Sequence, residues 1–333
     1  MRAFVLDGYG AIPDHVRLAE VAEPVVGPDD VLIEIHAASL NPIDFKIVHG
    51  DLKRVTKYQL PRPFGFDASG IVLSAGARVT QFKPGDAVYA RASRDTIGTF
   101  AERIALPEKF IALKPAAVSH VEAAALPLVG LTTLQGFGRV GARAGQRILI
   151  HAGAGGIGTF AVQYARHLGL HVTSTTSSKN VDFVKSLGAD RVIAYDRENY
   201  LEQGGGYDIV YDTLGGAFTT DAFKLVKRGG AVISLSGPPD RDFARRERAG
   251  WLVGMAVWLM SRKIYAASAE AGATYCWFFT EPDGDQLREI AGLVDSGAIK
   301  PVIDREFAFE QLPAALTYLE AGRARGKVVL RVR

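Results

Sequence analysis

The chain is poor in the features that would commit it to a special environment. Of its 333 residues one is a cysteine, Cys276, which excludes an internal disulfide and any zinc cluster built on several thiolates. Neither sign of charge is in excess. The 39 basic and 36 acidic residues leave a formal net charge of +3, too even to imply a nucleic-acid partner or an anionic membrane surface. Long apolar runs are also missing. The most apolar stretch, 251–260, reaches about half of the ~20 residues that a membrane helix needs, and reads instead as a helix packed in a cleft or at a subunit contact. Met1 leads directly into Arg2–Leu6, a strand-like start without an apolar leader or a small-residue cleavage site. These absences suggest a reducing, cytoplasmic setting. There is no internal repeat and no low-complexity tract.

What is present reads as an ordinary globular enzyme or binding protein, with 48% hydrophobic and 23% charged residues. The length exceeds what one hydrophobic core fills, so two lobes are expected. The first third reads as short strands, at 31–35, 71–74 and 87–89, with Pro84-Gly85-Asp86 as a turn. From Ser119 the texture changes. Ser119 and Glu122 have capping-box spacing, and the Ala- and Leu-rich segment after them reads as a helix interrupted at Pro127. Strands at 147–151, 172–176, 192–195, 209–212 and 231–235 then alternate with helices at 156–168, 180–187 and 218–226, the pattern of a doubly wound parallel sheet. A helix at 285–295 and a strand-helix-strand tail close the chain back onto the first lobe. The expectation is an α/β protein with residues 1–120 and 281–333 in one domain and 121–280 in the other.

Gly153, Gly155 and Gly158 form G-x-G-x-x-G between the apolar strand Ile148-Leu149-Ile150 and the helix containing Phe160, Ala161 and Val162. Such glycines allow a tight turn, close backbone approach to pyrophosphate and helix-sheet packing, while the helix start offers free N–H groups. A glycine-rich surface turn is the plainer alternative; the strand-helix context favours the nucleotide site. The end of the next strand distinguishes NAD from NADP, because a carboxylate there would bind the ribose hydroxyls. Here it reads Thr175-Thr176-Ser177-Ser178-Lys179, with no carboxylate. Two hydroxyls and an ammonium suit a 2′-phosphate and hence NADPH, although Ser177 and Ser178 could equally cap the helix starting at Asn180.

Four further segments carry a resemblance: Asn41-Pro42-Ile43-Asp44-Phe45-Lys46, Gly65-Phe66-Asp67 with Gly70, His151 to Gly158, and Gly322 to Lys327 ahead of Val328-Val329-Leu330. Together they resemble the zinc-independent quinone oxidoreductases of the medium-chain dehydrogenase/reductase superfamily, nearly end to end. The segment 175–190 is similar to the chloroplast alkenal/one oxidoreductase, and 277–327 to the reticulon-interacting mitochondrial reductase. The resemblance implies a β-rich GroES-like catalytic domain beside a Rossmann NADP-binding domain. Zinc alcohol dehydrogenases of the same superfamily place a cysteine where this chain has Asn41 and a His-Glu pair where it has Phe66-Asp67. No metal is therefore expected, and His36, His49, His120 and His151 read as structural or surface histidines. Without a Lewis acid, a quinone or an α,β-unsaturated carbonyl is the easier acceptor, since its conjugated system spreads the charge that hydride brings.

In that reading NADPH lies across the cleft between the lobes with its pyrophosphate at Gly155, Gly156 and Ile157. By resemblance, Asn41, Asp44 and Lys46 line the nicotinamide end, and Lys46 polarises the substrate oxygen or holds a cofactor hydroxyl. Thr132 is placed near the nicotinamide ribose and Tyr195 beside the adenosine phosphate. Thr213 and Leu214 end the fourth strand, and Ser236 and Gly237 the fifth. Phe278, Phe279 and Thr280 pass the carboxamide by their backbone, and Lys327 closes the cofactor site. Tyr58 or solvent supplies the proton. The expected partner is a small hydrophobic electrophile, with a homodimer as the assembly.

Two rivals stand beside this reading. One is a 2-enoyl thioester reductase using the basic cluster Arg241, Arg245, Arg246 and Arg248; the other is a non-catalytic NADPH-binding sensor. Trp251, Trp258, Trp277, Phe278 and Phe279 form either a hydrophobic substrate pocket or a core or dimer contact.

Overall fold

In the first part of the strand Asp30–Leu40 every second side chain, Val31, Ile33 and Ile35, is buried, the period of a strand covered on one face, and from Ala37 to Leu40 all are buried. This strand is the centre of the first of two compact units. The computed structural model describes residues 1–56, 58–241, 243–246 and 251–333, and they divide into Met1–Leu131 with Glu281–Arg333, and Thr132–Thr280.

In the first unit Asp30–Leu40 pairs antiparallel with Asp67–Ala75, with Arg103–Pro107 and with the C-terminal strand Lys327–Arg331. Val329 lies opposite Ser39, so the tail returns to the lobe that can complete its backbone hydrogen bonds. Ile303–Ala308 extends the sheet beyond Lys327–Arg331, and Ala87–Arg91 and Ile111–Leu113 extend it on the other side. Its core gathers Phe4, Ile33, Ile35, Phe64, Phe66 and Leu330. The helix His120–Ala124 starts at the expected capping box, with the Ser119 N–H donating to Glu122 Oε2 at 2.8 Å. It presents Ala124 and Ala125 to Ala37 and Val329. That packing moves the division from residue 120 to between Leu131 and Thr132. Pro127 opens a second helix, Pro127–Arg139.

The second unit is built on six parallel strands in the order Arg191–Ala194, His171–Thr176, Arg147–Ile150, Tyr207–Asp212, Val226–Ser234, Thr274–Cys276. The chain runs outward to one edge from Arg147–Ile150, then returns to its other side with Tyr207–Asp212. These two neighbours form the switch point, where open α/β sheets bind ligands beyond the carboxyl ends of their strands. The stretch 251–260 begins the longer helix Trp251–Ala271, which is packed away on one face only within its own chain. Val257, Ser261, Ile264 and Ser268 form the buried face at helical spacing, while Trp251 is 74% and Trp258 54% exposed. Among the described residues no helix is long and apolar enough to cross a membrane.

Candidate cofactor and catalytic sites

The glycine turn sits at the switch point of the second unit. Strand Arg147–Ile150 ends, the chain turns through His151 to Gly155, and helix Gly156–His167 begins with Gly155 as its N-cap. Ala152 takes a left-handed φ of 54°, and its carbonyl accepts the Gly155 N–H at 2.9 Å. The three glycines have different jobs. A Cβ on Gly158 would lie 2.2 Å from the Ala152 carbonyl oxygen and 2.7 Å from Gly153 Cα, both backbone atoms. One on Gly153 would lie 2.1 Å from Ser174 Oγ. At Gly155 the only neighbour is Ala152 O, at 3.3 Å, so that position faces open space. The first-turn N–H groups of Gly156, Ile157 and Gly158 have no acceptor within their own helix, and with the helix dipole they suit an anion. Beneath the turn, His151 is fully buried with Nδ1 3.1 Å from Thr175 Oγ1 and Nε2 unpartnered. Burial holds its imidazole down at about 4, so it is neutral near pH 7.

At the end of the second strand, Thr175 and Thr176 are buried, Ser177 and Ser178 are half-buried, and Lys179 is exposed. The sequence offers no carboxylate in this segment, yet the fold brings one. Asp196, just beyond the neighbouring strand Arg191–Ala194, accepts the Ser178 N–H and the Ser178 hydroxyl, each at 2.7 Å. The Ser178 hydrogen bonds hold its pKa below the usual carboxylate range. Nothing in the spacing of Asp196 from the glycines announced this; only the pairing of Thr176 with Ala194 carries it there. Tyr195 is 60% exposed beside it, with its N–H on the Thr176 carbonyl.

A second carboxylate that sequence reasoning passed over organises the fourth strand end. Asp212 is fully buried. Its Oδ1 accepts the N–H groups of Leu214 and Gly215, both at 2.9 Å, and its Oδ2 the hydroxyls of Thr219 at 2.5 Å and Ser234 at 2.7 Å. Thr213 donates to the His151 carbonyl at 3.2 Å, and Ser236 to the Thr213 carbonyl at 3.2 Å. The turns after the first, fourth and fifth strands are thus tied together, bringing Thr213, Leu214, Ser236 and Gly237 to one end of the sheet. Thr132 and Thr280 share a 2.7 Å hydroxyl contact, and Phe278 is buried against Gly136.

The aromatic group does not assemble as one patch. Trp277 and Phe279 pack with Phe243, while Trp251 and Trp258 are exposed. Of the arginine cluster, Arg241 stacks on Tyr265 at 4.0 Å, and Arg248 lies outside the described residues.

In the first unit, Asn41, Asp44, Asp67, Arg91 and Lys327 are all buried. Asn41 caps helix Pro42–His49, and its N–H donates to Asp44 Oδ2 at 2.7 Å. Its side chain turns the other way, giving Nδ2 to Asp67 Oδ2 at 2.9 Å and accepting from Lys327 Nζ. Lys327 also donates to the Leu40 carbonyl at 2.8 Å and lies 3.8 Å from Asp67. Lys327 is held by groups of its own unit; by the resemblance it closes the cofactor site. Asp44, read as catalytic, is buried as the third residue of the helix, where it completes the capping box of Asn41. Burial pushes its carboxyl up to about 8, opposed by the Asn41 N–H and reinforced by Asp67. Its Oδ1 has no partner. Lys46 is half-buried on the same helix. Tyr58 has a buried hydroxyl with no partner among the described residues, and burial pushes its pKa up to about 12.

The other histidines settle locally: His49 Nε2 meets Glu320 at 2.6 Å, and His36 packs on His120, whose Nδ1 is 2.7 Å from Ser69 Oγ. Among the described residues no three His, Cys, Asp or Glu side chains come together to hold a metal ion.

Residues 27–116 match the family described as Alcohol dehydrogenase GroES-like domain, and 187–330 that described as Zinc-binding dehydrogenase. The chain is 36% identical over 341 residues to the 2-methylene-furan-3-one reductase of Solanum lycopersicum, covering 99% of this chain and 79% of that protein. It is 34% identical, with the same coverage, to the NADPH-dependent alkenal/one oxidoreductase, chloroplastic, of Arabidopsis thaliana. Its structure is similar to that of the quinone oxidoreductase from Coxiella burnetii, with a TM-score of 0.88, 30% identity and coverage of 100% and 99% of the two chains.

Proposed function

The chain belongs to the medium-chain dehydrogenase/reductase superfamily, on its branch of quinone and alkenal/one oxidoreductases, and we propose on that premise that it is an NADP-dependent oxidoreductase reducing quinones or the activated C=C bond of α,β-unsaturated carbonyls. The observation that carries this is the glycine turn at the sheet's switch point, open at Gly155 and closed at Gly153 and Gly158. When bound, the reduced nicotinamide supplies a hydride. The chain's own contribution is to receive the pyrophosphate on the N–H groups of Gly156 and Ile157. In the same reading the Asp212-ordered turn bearing Thr213 and Leu214, together with Thr132 and the backbone of Phe278 to Thr280, positions the nicotinamide end.

The zinc-free part of the proposal rests on the donor set. At the positions that resemble the ligand positions of zinc alcohol dehydrogenases, this chain has Asn41, Phe66 and Asp67, and the Asn41 and Asp67 side chains are engaged by the Lys327 ammonium. An amide oxygen, one carboxylate and a neighbouring cation do not fit a divalent metal, which needs three well-placed ligands and an open position. Lacking that electrophile, the site favours acceptors that delocalise incoming charge. Lys46 and the unpartnered Tyr58 hydroxyl are the residues assigned to the acceptor's oxygen and to protonation.

NADPH oxidation measured across a short-chain enal, an enone, a simple quinone and crotonyl thioester tests the reading. Turnover of the enal, enone or quinone is expected. Tight NADPH binding with no turnover of any acceptor would overturn the enzymatic assignment, and turnover of the thioester alone would overturn the substrate class.

A further inference from the structure

The two hydroxyls and the lysine at the end of strand His171–Thr176 suit a 2′-phosphate only if their hydrogen-bond donors are available. Those of Ser178 are already engaged: its N–H and its hydroxyl both go to Asp196, at 2.7 Å each. Ser177 Oγ accepts from Asn180 Nδ2 at 3.3 Å, which leaves its own proton for a ligand. Lys179 is exposed. A phosphate arriving here meets one hydroxyl and one ammonium, but also a carboxylate that stands on the neighbouring serine. A ribose with a free 2′-hydroxyl meets the same carboxylate as a hydrogen-bond acceptor, the role that a strand-end acid plays toward NAD.

Building on the nicotinamide-cofactor reading above, we propose that Asp196 is a specificity-determining residue: by holding both Ser178 donors and presenting negative charge, it weakens selection for the 2′-phosphate, so that the subsite takes NADH as well as NADPH. The carboxylate comes from a different strand than the acid that discriminates cofactors in the usual arrangement, which is why the segment Thr175 to Lys179 by itself reads as selective. Lys179 supplies the attraction that keeps the phosphorylated cofactor acceptable, and Asp196 sets how far that attraction is offset. The pair Asp196 and Ser178 acts as a unit, and substitutions at the two positions are not additive.

The test is direct binding of two fragments, adenosine 2′,5′-bisphosphate and adenosine 5′-monophosphate, to the full chain by titration calorimetry, with thermal unfolding run on each variant. Removing the charge in Asp196→Ala frees two donors for a charge-assisted contact, so the affinity ratio of bisphosphate to monophosphate is expected to rise about tenfold or more. Asp196→Asn keeps an acceptor for Ser178 and gives a smaller rise. Ser178→Ala leaves bisphosphate binding nearly unchanged while Asp196 is present, and weakens it in the Asp196→Ala background. If both fragments bind and Asp196→Ala leaves their ratio unchanged or lowers it, the role of Asp196 is refuted while the cofactor reading stands. If neither fragment binds the wild-type chain or any variant, the cofactor reading and this inference fall together.

Discussion

Gly155 and Gly158 lie in one motif, yet the structure predicts opposite consequences for the same added methyl group. Gly155 has φ −79° and ψ 174°, a conformation open to any L residue, and its Cβ would meet only Ala152 O at 3.3 Å. Gly155→Ala should recover about 0.4–1 kcal/mol from the unfolded chain, less a few tenths for the tight contact. The net effect on unfolding is within about 1 kcal/mol, or roughly 2–4 °C. The methyl group nevertheless stands on the open face where, in the proposed function, pyrophosphate approaches the helix start. Losing one charge-assisted hydrogen bond there costs about 1.5–3 kcal/mol, a drop in NADPH affinity of about tenfold to a hundredfold. In Gly158→Ala the Cβ meets two backbone atoms at 2.2 and 2.7 Å. Neither can rotate away. The helix must shift, at an overpacking cost of about 1–3 kcal/mol or more. Thermal unfolding and calorimetric titration with NADPH, run on both variants, separate the two effects. Wild-type NADPH affinity in Gly155→Ala would refute the placement of pyrophosphate on this turn, whatever happens at Gly158.

Three further expectations concern the first unit. Asp44 carries its proton to about 8 when folded, whereas an unfolded aspartate loses it near 3.9. The native state therefore binds more protons between these values, and stability declines as pH rises through that window, by up to about 1.4 kcal/mol per pH unit. Asp44→Asn should flatten this decline in melting temperature; an unchanged slope would show that Asp44 does not cause it. Lys327→Met takes one of two buried cations, Lys327 and Arg91, from the buried Asp67 carboxylate and should cost up to about 3–5 kcal/mol of stability, read by denaturant unfolding; a loss below about 1 kcal/mol contradicts the buried pairing. Tyr58→Phe removes a hydroxyl with no partner among the described residues, so melting should hold or rise while kcat falls about a hundredfold if it is the general acid. Unchanged kcat eliminates Tyr58 from that role.

Periodicity and punctuation made most of the architecture legible. Buried strands alternating with capped helices announced the parallel sheet, and a glycine motif between a strand and a helix announced its ligand end. These signals are local: hydrogen-bond period, capping spacing and turn chemistry all act within a few residues. What was not legible depends on contacts between residues far apart along the chain. The division between units moved past Ala124 and Ala125 because they pack on Ala37 and Val329, a contact that no local spacing encodes. The groups around the Lys327 ammonium, on Leu40, Asn41 and Asp67, lie far from it along the chain. The exposed face of Trp251–Ala271 was equally hidden, since apolar composition records what a helix can bury and not what lies against it.

The sequence by itself determined the α/β class, the glycine turn between strand and helix, and the resemblance to zinc-independent reductases. Only the tertiary structure decided which charges meet. It set Asp212 beneath the turn at Thr213 and placed Lys327 between Asn41 and Asp67. It also put Asp196 on the two donors of Ser178 at the strand end that had seemed free of acid. Strand order made those meetings, because a parallel sheet aligns the ends of strands that are far apart in the chain, and electrostatic interactions depend on separation in space.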